Sequence, residues 1–169
     1  MTAGAPAGAV LPELVIDVTP TFVVASAIAT RDFQDVHHDR DQAVARGNQD
    51  IFLNILTTTG LVQRYVTDWA GPQALVRKIA IRLGAPCYAG DTLTFSGKVT
   101  DGPARQEPPG PDGEVVVEVV GRCRLGDHVT GTVRVVLPVG ETPSMYEKAG
   151  SGPPNGTFVP RTDAAEGGA

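Results

Sequence analysis

The chain has 169 residues, a formal net charge of −5 and 41% hydrophobic residues. That length and apolar content suit one domain around a single core. The mild, dispersed negative charge argues against nucleic acid or an anionic membrane as partner, and no apolar run reaches the length of a membrane span.

In chain order, the first ten residues lack the basic and apolar regions of a secretory signal, so a cytoplasmic location is expected. The segment Arg31-Asp32-Phe33-Gln34-Asp35-Val36-His37-His38-Asp39 then holds two of the three histidines beside three aspartates. Asp32 and His37 are five residues apart with no proline or glycine between them. Such a pair can converge on one water, and imidazole titrates near neutral pH, which suits general acid/base chemistry. Asp39 precedes a short helix, about Arg40 to Arg46, as its N-cap; Gln42 sits three residues on and Gly47 stops the helix. Asp39 therefore has a structural task. His38 is expected to be structural or exposed, and no further ligand cluster turns His37, His38 and Asp39 into a metal site.

A long helix is expected from Ile51 to Trp69, with an apolar ladder at Ile51, Ile55, Val62, Val66 and Trp69. Phe52, Leu53, Leu56 and Leu61 widen it, which predicts a buried helix, ended by Gly71-Pro72. Its threonines, Thr57, Thr58 and Thr59, are expected to bond back to the preceding turn. Four strands follow from alternation or β-branching: Ile79 to Leu83, Thr92 to Val99, Val115 to Val120 and Val129 to Leu137. Leu93, Phe95 and Val99 face one way, and Thr92, Thr94, Ser96 and Lys98 the other. One-sided alternation of this kind predicts an antiparallel sheet with one covered face. Arg77, Lys78 and Arg82 are expected on a solvated face, and His128 in a turn before the last strand. Cys87 and Cys123, at no metal-like spacing, are expected to be reduced core thiols. Residues 101–113 are a proline- and glycine-rich loop, and residues 140–169 a disordered tail behind a domain spanning 1–139.

Asp32, Val36, His37 and Ala43 keep the places of a signature found in the MaoC-like (R)-specific enoyl-CoA hydratases. There, Asp is followed by Asn-Pro, an aliphatic residue and His, with Ala or Ser six residues after the His. Arg31 stands where the family has Gly, and Gln34-Asp35 where it has Asn-Pro. The run Asp50 to Gly71 resembles the family's central helix and its exit, and Gly90-Asp91-Thr92-Leu93 the start of a family strand. The likeness extends from about Leu11 to Leu137. It is nearest to the smaller subunit of actinobacterial steroid (cholesterol) side-chain enoyl-CoA hydratases.

The resemblance implies a single α+β hot-dog fold, an antiparallel sheet wrapped around a long central helix. It implies hydration of a trans-2-enoyl-CoA, a steroid side-chain thioester in the subunit it resembles, with Asp32 and His37 holding the water. Backbone N–H groups near Asn54 and Ile55 would stabilise enolate charge on the thioester oxygen, although family members have His-Gly there. The spacing does not distinguish base from acid within the pair. No cofactor is implied, coenzyme A being part of the substrate. The implied partner is a second MaoC-like chain without the pair, completing the pocket; a homodimer is the other arrangement. Two further readings stand beside this one. A hot-dog thioesterase would usually carry an acidic residue on the central helix, and Phe52 to Thr59 have none. The other is a non-catalytic acyl-CoA-binding subunit.

Overall fold

The structure, a computed structural model, describes residues 5–101 and 113–137. Residues 102–112 of the expected loop and the whole of the expected 140–169 tail lie outside the described residues. The elements are β1 (Val10–Val18), α1 (Pro20–Ala29), a 3₁₀ turn (Asp35–His37), α2 (Arg40–Ala45), α3 (Ile55–Ala70), β2 (Leu75–Leu83), β3 (Asp91–Asp101), β4 (Glu114–Cys123) and β5 (Gly126–Val136). The strands form one antiparallel sheet in the order β1-β3-β4-β5-β2. With α3 against its covered face, this is the hot-dog arrangement. No helix among the described residues is long and apolar enough to cross a membrane.

The alternation seen in the sequence sets the core. Leu93, Phe95 and Val99 of β3, Val115, Val117 and Val119 of β4, and Val129, Val133 and Val135 of β5 are all buried, and α3 adds Leu61, Val62, Tyr65, Val66, Trp69 and Ala70. Each large apolar side chain so covered contributes about 1.5–3 kcal/mol. Gly97 interrupts the apolar series of β3 because Tyr65 of α3 lies over it. A Cβ at Gly97 would come within 3.0 Å of the Tyr65 ring, and that ring stacks on Phe95 with centroids 5.7 Å apart.

Two expected boundaries are corrected. The central helix begins at Ile55, not Ile51, because Asn54 caps it by accepting from Thr57 N–H at 2.9 Å. Residues 51–53 are extended instead: Leu53 N–H donates to Cys87 O, Ala89 N–H donates to Ile51 O, and Phe52 bridges Tyr88. Ile55 and Leu56, expected to be buried, are each 51% exposed. His128 is not in a turn but inside β5, 2% exposed. Its Nδ1 bonds the Ala85 carbonyl at 2.8 Å and its Nε2 lies 2.9 Å from Thr58 Oγ1, so it ties α3 to β5. A carbonyl only accepts, so Nδ1 carries the proton, and in the neutral ring Nε2 is an acceptor that shares the single Thr58 hydroxyl proton with Asn54 O. The short helix α2 is as expected, with Asp39 accepting from Gln42 N–H at 3.1 Å and Gly47 at φ 88° beyond its end. Arg77, Lys78 and Arg82 of β2 are exposed.

β1 and α1 follow from signals other than periodicity. Pro12 and a register shift between Leu11 and Leu14 break the alternation of β1. Helix α1 is apolar on most sides and starts at Thr19-Pro20: the Thr19 hydroxyl accepts from Phe22 N–H at 3.1 Å, and proline takes the first turn. Its C-terminus is a Schellman motif. Asp32 N–H donates to Ala27 O and Arg31 N–H to Ile28 O, with Arg31 left-handed at φ 57°.

Two predictions follow from these ends and ties. A non-glycine residue at left-handed φ costs about 1–2 kcal/mol, partly offset because glycine loses more entropy on folding. Arg31→Gly is therefore expected to raise stability to denaturant by about 0.5–1 kcal/mol, whereas Arg31→Val lowers it. Burial pushes the His128 imidazole below its ordinary 6.5, opposed by the Ala85 bond. The unfolded chain therefore takes up a proton there before the folded chain does. The stability that His128 contributes is complete above about pH 6.5 and is lost as pH falls below it. Denaturation midpoints measured from about pH 7.5 down to about pH 5 should fall less steeply in His128→Gln than in the wild type.

Candidate active site

Asp32 and His37 are brought to one place by three separate local structures. The Schellman end of α1 aims Asp32, the 3₁₀ turn carries His37, and the extended segment before α3 receives both. His37 N–H donates to Gln34 O to close the turn. Asp35 opens it at the first position, where proline is tolerated in the family pattern because no N–H is required there. Here an acidic residue suits the helix start, and Asp35 is held by an ion pair to Arg46. Gln34 N–H donates to Asp32 Oδ1 at 3.4 Å. The substituted turn thus preserves the convergence of the pair.

His37 is 6% exposed, and its Nδ1 lies 2.8 Å from the Phe52 carbonyl. The carbonyl accepts, so Nδ1 carries the proton and, in the neutral ring, Nε2 presents a lone pair. Nε2 is 3.6 Å from Asp32 Oδ2, longer than a direct hydrogen bond. A carboxylate and a lone pair facing each other are both acceptors, and a water molecule can donate one proton to each. Phe52 also packs edge-on against the His37 ring, with centroids 4.9 Å apart, and Tyr88 packs edge-on against Phe52.

Asn54 was expected to contribute only its backbone, but its side chain is fully engaged. Nδ2 donates to Asp32 Oδ2 and to Thr30 Oγ1, each at 2.9 Å, and Oδ1 accepts from Thr57 N–H. One amide therefore caps α3, holds the end of α1 and fixes the Asp32 carboxylate. The signal was present in the sequence as an asparagine, a favoured N-cap, directly before the apolar helix. At the same helix start, the N–H groups of Asn54, Ile55 and Leu56 find no acceptor among the described residues. They point to where negative charge is best received.

The remaining candidates separate from this site. His38 Nε2 bonds Phe33 O at 3.2 Å on the surface, as expected of a structural residue. Thr58 and Thr59 bond back to Asn54 O and Ile55 O, but the buried Thr57 hydroxyl has no partner among the described residues. Cys87 and Cys123 are free thiols; burial, then Cys123 and Asp91, push the Cys87 thiol up. Sequence reasoning missed Thr30, the left-handed Arg31 and the Phe52 carbonyl, all of which act through the backbone or through contacts between distant segments.

Residues 2–121 match the family model of the MaoC like domain. The chain is 64% identical over 130 residues to the beta subunit of 3-oxo-4,17-pregnadiene-20-carboxyl-CoA hydratase from Mycobacterium tuberculosis, covering 77% of this chain and 95% of the relative. A chain in the crystal structure of the ChsH1-ChsH2 complex from the same organism superposes with a TM-score of 0.73 at 61% identity, over 79% of this chain and 99% of that one. The (R)-hydratase from A. caviae involved in PHA biosynthesis shares the fold, with a TM-score of 0.71 at 18% identity over 80% of this chain and 99% of that one. The chain belongs to the MaoC-like domain family.

Proposed function

We propose that this chain is the Asp/His-bearing subunit of an enoyl-CoA hydratase acting on a steroid side-chain thioester. The observation that carries the reading is the facing pair of acceptors, Asp32 Oδ2 and His37 Nε2, 3.6 Å apart beside the open start of α3. A water held by both loses one proton to the pair as its oxygen bonds to the β-carbon of the trans-2-enoyl thioester. The α-carbon takes a proton back on the same face, so the pair ends the cycle in its starting state. Negative charge gathers on the thioester oxygen and is met by the Asn54 and Ile55 N–H groups, already oriented and needing no reorganisation.

The likeness to a subunit of a pregnadiene-carboxyl-CoA hydratase supports the substrate class, and the likeness to a chain of a two-component complex supports a second MaoC-like chain as partner. The surface agrees. Ile28, Phe33, Ile55 and Leu56 lie on the segments that carry the pair and are exposed between 51% and 65%. An apolar rim of this kind suits a bulky apolar acyl group bound under cover of another chain. The thioesterase alternative lacks support, because the first turn of α3 carries no acidic residue.

Three measurements test the reading. Hydration of a steroid enoyl-CoA and of a short-chain enoyl-CoA is followed with and without the partner chain; turnover of the steroid substrate that requires both chains is expected. Asp32→Asn and His37→Gln should each lower kcat/KM by about 10²–10⁴-fold with assembly intact, and unchanged turnover would sink the proposal. Asn54→Asp keeps the helix cap but replaces the donor facing Asp32 with a like charge. Its kcat should fall on the order of 10²-fold, and its thermal midpoint should fall as well, because two little-exposed carboxylates then face each other.

A further inference from the structure

Cys87, Asp91 and Cys123 come from two parts of the chain and meet at one point. One ligand atom from each, Sγ, carboxylate oxygen and Sγ, lies within 4.8 Å of the other two. Cys87 is fully buried, Asp91 is 7% exposed and Cys123 is half-buried. The turn between Cys87 and Asp91 is closed by Tyr88 N–H donating to Asp91 Oδ2 and Asp91 N–H donating to Tyr88 O, both at 3.1 Å. Cys123 arrives at the end of β4, where its Sγ donates to Pro86 O at 3.6 Å. A groove of about 490 Å³ opens beside Asp91 and Cys123, giving solvent access to the cluster.

We propose that Cys87, Asp91 and Cys123 bind a thiophilic divalent cation of the zinc class, with water from the groove as fourth ligand. Two thiolates and a carboxylate form a donor set suited to such an ion. Tetrahedral bonds of about 2.0–2.3 Å place ligand atoms roughly 3.4–3.8 Å apart, a small contraction from the spacing present. Binding releases the two thiol protons to solvent. Arg124, whose Nε donates to Asp91 Oδ1 at 3.0 Å, stands on the surface with its side chain 59% exposed and remains as a neighbour of the carboxylate. The site lies directly behind the reactive pair: Cys87 O accepts from Leu53 N–H at 3.0 Å, Phe52 bridges Tyr88, and the Phe52 carbonyl holds His37. Occupancy therefore clamps the segment that orients His37.

The test does not depend on turnover. The full chain, purified under reducing conditions and stripped with chelator, is titrated with Co²⁺ and then Zn²⁺. Expected are one cobalt per chain with thiolate-to-cobalt charge-transfer absorption, its displacement by zinc, and a higher thermal midpoint with zinc bound. Cys123→Ser, checked for native circular dichroism, should weaken binding by at least about tenfold, and Asp91→Asn should weaken it while keeping the charge-transfer band. The proposal is overturned by the absence of that band in the wild type. Binding unchanged in Cys123→Ser would overturn it equally, as would thiol titration showing that the two cysteines are consumed as a disulfide and the reduced chain takes up no metal.

Discussion

The amide of Asn54 is the point on which the site depends. Its oxygen satisfies Thr57 N–H and so decides where α3 begins, and its nitrogen holds Thr30 and Asp32 at the end of α1. Were the helix to begin at Ile51, as the apolar ladder alone suggests, residues 51–53 could not pair with residues 87–89. The Phe52 carbonyl would then be committed to the helix and could not receive His37. The cap therefore does more than stabilise a helix end by about 1 kcal/mol. It frees a stretch of extended backbone whose carbonyl fixes the tautomer of His37, and it leaves N–H groups at the helix start without an acceptor among the described residues.

The same economy explains how an unusual turn carries the pair. Asp32 occupies a defined position because it is the last residue of a Schellman motif, whose hydrogen bonds to Ala27 and Ile28 require the residue before it to be left-handed. Glycine, which the family has there, meets that requirement without strain; Arg31 meets it at a conformational cost. Asp35 takes the place of a proline at a position that needs no N–H, and its ion pair with Arg46 anchors the turn to the end of α2. Backbone geometry thus tolerates changes in side chains that look disruptive when the residues are compared one at a time.

Much of the fold was legible because its signals are periodic. The alternation of β3, β4 and β5 and the Asp39 and Gly47 boundaries of α2 translate directly into burial and capping. β1 was not legible by alternation, since Pro12 and a bulge interrupt it, nor was α1, which has no single apolar stripe. In the site, Asp32 and His37 stood out by residue type and spacing. The bonds that orient them were hidden because they involve backbone atoms of Phe52 and an asparagine whose reach across to α1 depends on the packing of two helices. The meeting of Cys87, Asp91 and Cys123 was hidden for the same reason, since it arises only when the end of β4 is laid beside the turn into β3.

If Asp32 and His37 act on one water, their contributions to the rate are not independent. The most direct measurement is a double-substitution cycle of steroid enoyl-CoA hydration with Asp32→Asn, His37→Gln and both together, in the assembled complex. The double variant should be scarcely slower than the slower of the two single variants. Losses that multiply, or single variants that retain full turnover, would contradict a shared water held between the two residues.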